Sequence, residues 1–154
     1  MVTDFPPDIV DRAFETFREG ETASFEREIT VEDLASFAAL SGDRNPLHTD
    51  ESYAAAAGHL SPVAYGLLVA TPISTLAGHL LPGKRCLLLE ASSQFRRPVF
   101  PYDRLTYCGT ITRISPSIRV LKVQVEVSNQ QNAVVLTGAY VAQVSLSCGD
   151  ADEL

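Results

Sequence analysis

The sequence predicts an α+β fold in which an antiparallel sheet curls around one central helix. Three observations carry this reading. Helical patterns occupy the first half of the 154-residue chain. A nearly wholly apolar run, "YGLLVATPISTLAGHL" from Tyr65 to Leu80, follows them. From Cys86 onward the hydrophobic period becomes that of strands.

Taken in order, "PPDIVDRAF" is compatible with a short helix carrying proline in its first turn, and "FREGET" reads as a turn around Gly20. Thr22 to Ile29 alternates in the strand manner. "TVEDLASFAAL" then opens with Thr30 as N-cap and Asp33 three residues later, a variant of the capping box. Its apolar positions Leu34, Phe37 and Ala38 share one helical face, and Gly42 ends it. Asp50 caps a second short helix, "ESYAAAAG", closed by Gly58. The run from Tyr65 to Leu80 is a helix apolar on nearly every side, expected to be buried on nearly every side. Pro72 should kink it and free a carbonyl near Leu68. "CLLLEASSQFRRPV", "RLTYCGTITRIS", "IRVLKVQVEVSN" and "AVVLTGAYVAQVSL" are four strand segments, with "SPS" and "NQQN" as turns.

The bulk numbers place this chain among globular proteins. A length of 154 residues suits one domain over 1–154, with frayed ends at 1–10 and 147–154. Hydrophobic content of 45% with 20% charged residues is that of a folded, non-disordered chain. The net charge of -7 and the scattering of twelve basic residues argue against nucleic acid. Cys86, Cys108 and Cys148 show no metal-ligand or disulfide spacing, which suggests a reducing compartment. The first residues lack the pattern of a signal peptide, and the final "ADEL" lacks the basic first residue of a retention signal. No segment reaches the roughly 18 apolar residues of a membrane span. The expectation is a cytoplasmic protein.

Chemistry concentrates in "SGDRNPLHTDES", Ser41 to Ser52. His48 is the side chain best suited to move protons near neutral pH, and a nearby carboxylate, Asp43, can orient it or hold the same water. Asn45 and Pro46 make the intervening bend stiff, and stiffness is what a two-residue acid/base pair needs. Spacing alone leaves two readings open: a capped turn with a surface histidine, or half of an active site.

The longer stretch "FAALSGDRNPLHTDESYA", Phe37 to Ala54, resembles the signature of the (R)-specific enoyl-CoA hydratases, the MaoC-like dehydratase family. Gly42, Asp43, Asn45, Pro46, Leu47 and His48 fill its core positions, and "FRRPV" at Phe95 to Val99 is similar to a second family pattern. The resemblance implies a hot-dog fold, a sheet wrapped around a long helix, in a homodimer or higher homo-oligomer. It implies hydration of trans-2-enoyl thioesters, on coenzyme A or acyl-carrier protein, to (R)-3-hydroxyacyl thioesters, or the reverse dehydration. By carry-over, Asp43 and His48 share and activate the water, with no metal or redox cofactor.

Charge building on the thioester oxygen requires a prearranged donor, and the family places that contact at the glycine matching Gly66. Ser74 falls where the family has a supporting serine. Asn45 and Tyr65 complete the substrate-binding candidates, while Arg96, Arg97 and Lys84 are candidates for the phosphates of coenzyme A. Tyr65 stands where the family usually has histidine, a departure expected to close or reshape the mouth of the acyl pocket. Pro72 is expected to alter the depth of that pocket. His59, His79, Cys86, Cys108, Tyr53 and Phe95 read as structural. Two alternatives remain: a hot-dog thioesterase, and a non-catalytic acyl-binding subunit.

Overall fold

The computed structural model describes residues 6 and 8–145. Cys148, the "ADEL" tail and most of the ends expected to fray lie outside the described residues. Within the expected N-terminal stretch, Val10 is tied at both its N–H (to His79 O, 2.8 Å) and its carbonyl (from Lys84 N, 2.9 Å). The helix considered for "PPDIVDRAF" is replaced by a single 3₁₀ turn, Phe14–Thr16.

Five strands form one antiparallel sheet: β1 (Thr22–Glu28), β2 (Cys86–Phe95), β3 (Arg104–Ser115), β4 (Val120–Ser128) and β5 (Val134–Val144). Their order is β1-β3-β4-β5-β2, so β1 and β2 are the edges. The period-2 pattern sets which face is inside. On β4, Leu121, Val123, Val125 and Val127 are fully buried, while Lys122, Gln124 and Glu126 point outward. Burying each such side chain contributes about 1.5–3 kcal/mol relative to exposure. A one-residue slip would turn all four to solvent, which fixes the register.

The concave face holds the central helix, which is segmented rather than continuous. Helix α1 (Val31–Ser41) precedes it, with the expected reciprocal box between Thr30 and Asp33 and with Gly42 left-handed at φ 75°. Two short helices follow, α2 (Pro46–Thr49) and α3 (Glu51–Ala56), the second capped by Asp50. The central element then runs as α4 (Gly66–Ala70), α5 (Ile73–Thr75) and a π-helical turn, Leu76–Leu80.

Pro72 does break this helix, yet the Leu68 carbonyl is not left bare. It accepts from Thr71 N–H at 3.0 Å, in a tightened turn of the kind that absorbs orphan carbonyls. The Tyr107 hydroxyl donates to Val69 O at 2.8 Å and ties the break to the sheet. Leu68, Val69, Ile73, Leu76 and Ala77 are buried against the strands. Leu67, Thr71 and Ser74 lie outward on one stripe, with Leu67 68% exposed. Burial on nearly every side is therefore corrected to burial on one side within a single chain. The arrangement is that of a hot-dog fold, a curled antiparallel sheet around a central helix.

Candidate active site

The loop after α1 is assembled from short-range hydrogen bonds that its own side chains supply. Gly42 reverses the chain, and Asp43 N–H donates to Ser41 Oγ at 3.2 Å. Asp43 Oδ1 accepts from Asn45 N–H at 2.9 Å. Asn45 Oδ1 in turn accepts from Leu47 N–H at 3.0 Å, making Asn45 the N-cap of α2 with Pro46 in its first turn. The expected stiff bend is thus the start of a one-turn helix, and His48 sits on that turn.

Two longer-range contacts fix the imidazole. Leu47 O accepts from Val63 N–H at 3.1 Å, and His48 Nδ1 lies 2.6 Å from Val63 O. A carbonyl oxygen only accepts, so Nδ1 carries the proton and donates. In the neutral ring Nε2 then holds the lone pair, the state a general base requires. Asp43 is exposed in the single chain, and its Oδ2 accepts no hydrogen bond among the described residues. A rigid loop that carries a carboxylate and an imidazole with an open acceptor can hold a water and remove its proton.

Tyr65 lies beneath this loop at 2% exposure and lines neither of the two cavities described below. Its ring lies tilted against those of His48 and Phe37, with centroids 4.0 Å and 5.0 Å away, and its hydroxyl donates to Asp43 O at 3.0 Å. Burial first, and the Asp43 charge second, push the phenol above its ordinary range, so the hydroxyl remains a donor. The sequence reading put Tyr65 at the pocket mouth; the structure puts it under the acid/base loop. Gly66 follows directly as the first residue of α4. A Cβ there would stand 3.2 Å from three ring atoms of Phe95, so glycine permits this ring to lie across the helix start.

Two apolar cavities flank these residues. One, of about 450 Å³, is walled by Leu34, Ala35 and Ala38 of α1 together with His48, Pro62 and Tyr102. The other, of about 330 Å³, follows the outward stripe of the central helix and includes Leu67, Ser74, Leu88, Ala91 and Phe95. A bulge between Leu88 and Glu90 shifts the strand's alternation by one. That shift is why Leu88 and Ala91 face the same groove. The structure therefore gathers Asp43, Asn45, His48 and Tyr65, adjoins Gly66 to them, and places Ser74 in the neighbouring groove.

The three cations do not gather within one chain. Lys84 pairs with Asp11 at 3.0 Å just before β2. Arg96 and Arg97 come just after it, bonded to Thr137 Oγ1 (2.9 Å) and Val134 O (2.6 Å). The ten residues of β2 separate them by about 33 Å. His59 stands 6.2 Å from the Phe100 ring, and Cys86 is partly buried, which raises its thiol pKa. The functional contacts that sequence reasoning missed are the Val63 carbonyl, which sets the histidine tautomer, and the Phe95 ring over Gly66. The first is a backbone group and leaves no signature in residue type.

Comparison with known proteins agrees with the geometry. A model of the MaoC like domain matches residues 15–133. The (R)-specific enoyl-CoA hydratase of Aeromonas caviae is 33% identical over 125 residues, 81% of this chain and 93% of that protein. The 3-hydroxybutyryl-CoA dehydratase of Methylorubrum extorquens is 31% identical over 131 residues, covering 85% of this chain and 83% of that one. Among solved structures, an R-hydratase of Pseudomonas aeruginosa in its unliganded form superposes with a TM-score of 0.82 at 30% identity, covering 87% of this chain and 86% of that one.

Proposed function

The chain belongs to the MaoC-like domain family, and from that premise we propose that it hydrates trans-2-enoyl thioesters to (R)-3-hydroxyacyl thioesters, or runs the reverse dehydration. The observation that carries the reading is the His48 Nδ1 contact with Val63 O, because it leaves Nε2 as the acceptor on the loop that bears Asp43.

In the hydration direction a water is held between the Asp43 carboxylate and His48 Nε2. Nε2 takes one proton as the water oxygen bonds to the β-carbon. The π electrons move to the α-carbon and onto the thioester oxygen, where the Gly66 N–H meets the developing charge. The proton then passes from the imidazolium to the α-carbon, which closes the balance with no redox change. No metal or redox cofactor enters these steps, and coenzyme A or an acyl carrier belongs to the substrate. The α4 helix is only five residues long, so the N–H groups of its first turn carry this role rather than a long helix dipole. Ser74, in the groove beside Phe95, fits an acyl-side contact.

A second copy of the chain along β2 completes the assembly in this proposal. This edge strand exposes Leu87, Leu88, Leu89 and Phe95, next to the exposed Leu67 of α4. An unpaired apolar edge of this kind requires a cover.

The test follows two signals from one mixture of protein and crotonyl-CoA: the enoyl absorbance and free thiol. Loss of enoyl absorbance without thiol is the expected result. Thiol release at the same rate would instead establish a thioesterase, and binding with neither signal an acyl-binding subunit.

A further inference from the structure

We propose that Tyr65 is a positioning residue that locks the Asp43–His48 loop to the helix start that bears Gly66. The inference rests on the hydration reading and adds a residue to it. One residue makes three connections. Its hydroxyl donates to the main-chain carbonyl of Asp43 at 3.0 Å, bridging 22 positions of sequence. Its ring lies on the His48 imidazole, with centroids 4.0 Å apart and planes at 32°, and is backed by Phe37 of α1. Its own backbone is the N-cap of α4, so its next peptide bond carries the Gly66 N–H.

Among the described residues, no other hydrogen bond reaches Asp43 from the segment that leads into α4. The bonds that join Ser41, Asp43, Asn45 and Leu47 to one another are internal to the loop. The two Val63 bonds hold Leu47 and His48 but not Asp43. With Val63 fixing only the α2 end, the Asp43 end of a rigid loop could still drift relative to the oxyanion donor. The Tyr65 hydroxyl removes that freedom, and its 2% exposure keeps water from replacing the bond. Tyr65 touches the acid/base pair rather than the reacting atoms, which makes it a support and not a catalytic residue.

Tyr65→Phe isolates this function. It keeps the ring against His48 and Phe37 and deletes only the hydroxyl bond, so the fold is retained. Misplacing reacting groups by about an ångström costs on the order of 100-fold. The expected result is a fall in kcat of about 10- to 100-fold for crotonyl-CoA, with KM within about twofold. A residue that merely fills space would leave kcat near the native value. A second readout needs no turnover: nitrogen NMR of the His48 imidazole and of the Asp43 and Asn45 amides in both proteins. These signals should shift or broaden in the variant, while signals from β4 stay in place. If the native protein fails to hydrate crotonyl-CoA, the hydration reading falls, and the NMR comparison still judges the lock. Unchanged imidazole and loop signals, or kcat within about twofold of native in an active protein, would overturn the inference.

Discussion

Gly66 offers a perturbation in which backbone chemistry can be separated from side-chain bulk. Replacing it with proline deletes the N–H assigned to the thioester oxygen. Proline is tolerated at the first position of a helix, where that N–H has no intrahelical partner. The preceding residue is already suited to it: Tyr65 has φ -59° and ψ 131°, near polyproline II and outside the α region that a following proline disfavours. The remaining cost is steric. Any Cβ at position 66 meets the Phe95 ring at 3.2 Å, so that ring must give by a few tenths of an ångström. Gly66→Ala carries that same cost while keeping the N–H, so the ratio of the two variants isolates the donor. Loss of one oxyanion donor costs about 100- to 1000-fold, or about 2.7–4 kcal/mol of transition-state stabilisation. The assay is steady-state hydration of crotonyl-CoA by both variants, with thermal melts to confirm folding. Gly66→Pro should fall about two orders of magnitude or more below Gly66→Ala. If the two variants turn over within about threefold of each other, the oxyanion assignment is wrong.

Asn45→Ala removes the cap of α2 and should cost about 1 kcal/mol, a drop of a few degrees in Tm, while lowering kcat/KM far more than that loss of stability accounts for. Activity within about twofold of native would show that the turn does not aim the pair. Leu88→Lys puts a charge into the groove beside Phe95 and should yield a folded monomer by light scattering; an unchanged oligomer mass would place the interface elsewhere. Burial raises the phenol pKa of Tyr65, Tyr107 and Tyr140 in the folded chain above the ordinary value of 10.0. Their contribution to stability is therefore complete below about pH 10 and is lost as pH rises beyond it, because the unfolded chain ionises first. Absorbance of tyrosinate from these residues should appear together with unfolding; its appearance while the far-ultraviolet circular dichroism stays native would contradict their burial.

What could be read from sequence was mostly what neighbouring residues decide among themselves. The Thr30–Asp33 box, the left-handed Gly42 and the Asp50 cap all form as expected, because each depends on chemistry within a few positions. The strand from Arg104 to Ser115 is found where its alternation put it, since one face packs on the core. The family signature was legible for a similar reason, being a contiguous loop. Contacts between distant segments were not. The Val63 carbonyl reaches His48 across 15 positions, and the Tyr65 hydroxyl reaches Asp43 across 22. Neither pairing leaves a periodicity to find. The outward stripe of Leu67, Thr71 and Ser74 was hidden inside an apolar run. Its exposure in one chain becomes intelligible only beside the leucines of β2, which the sheet order places at an edge. Lys84, Arg96 and Arg97 look like one set of cations until the length of β2 comes between them.

The central claim is that Asp43 and His48 together activate the water. Its most direct test is turnover of crotonyl-CoA by the native protein, by Asp43→Asn and by His48→Gln, with the configuration of the product at carbon 3 determined for each. The account predicts (R)-3-hydroxybutyryl-CoA from the native protein and a loss of about four orders of magnitude in each folded variant, the upper end of a general acid–base contribution. Near-native turnover by both variants, or an (S) product from the native protein, would contradict it.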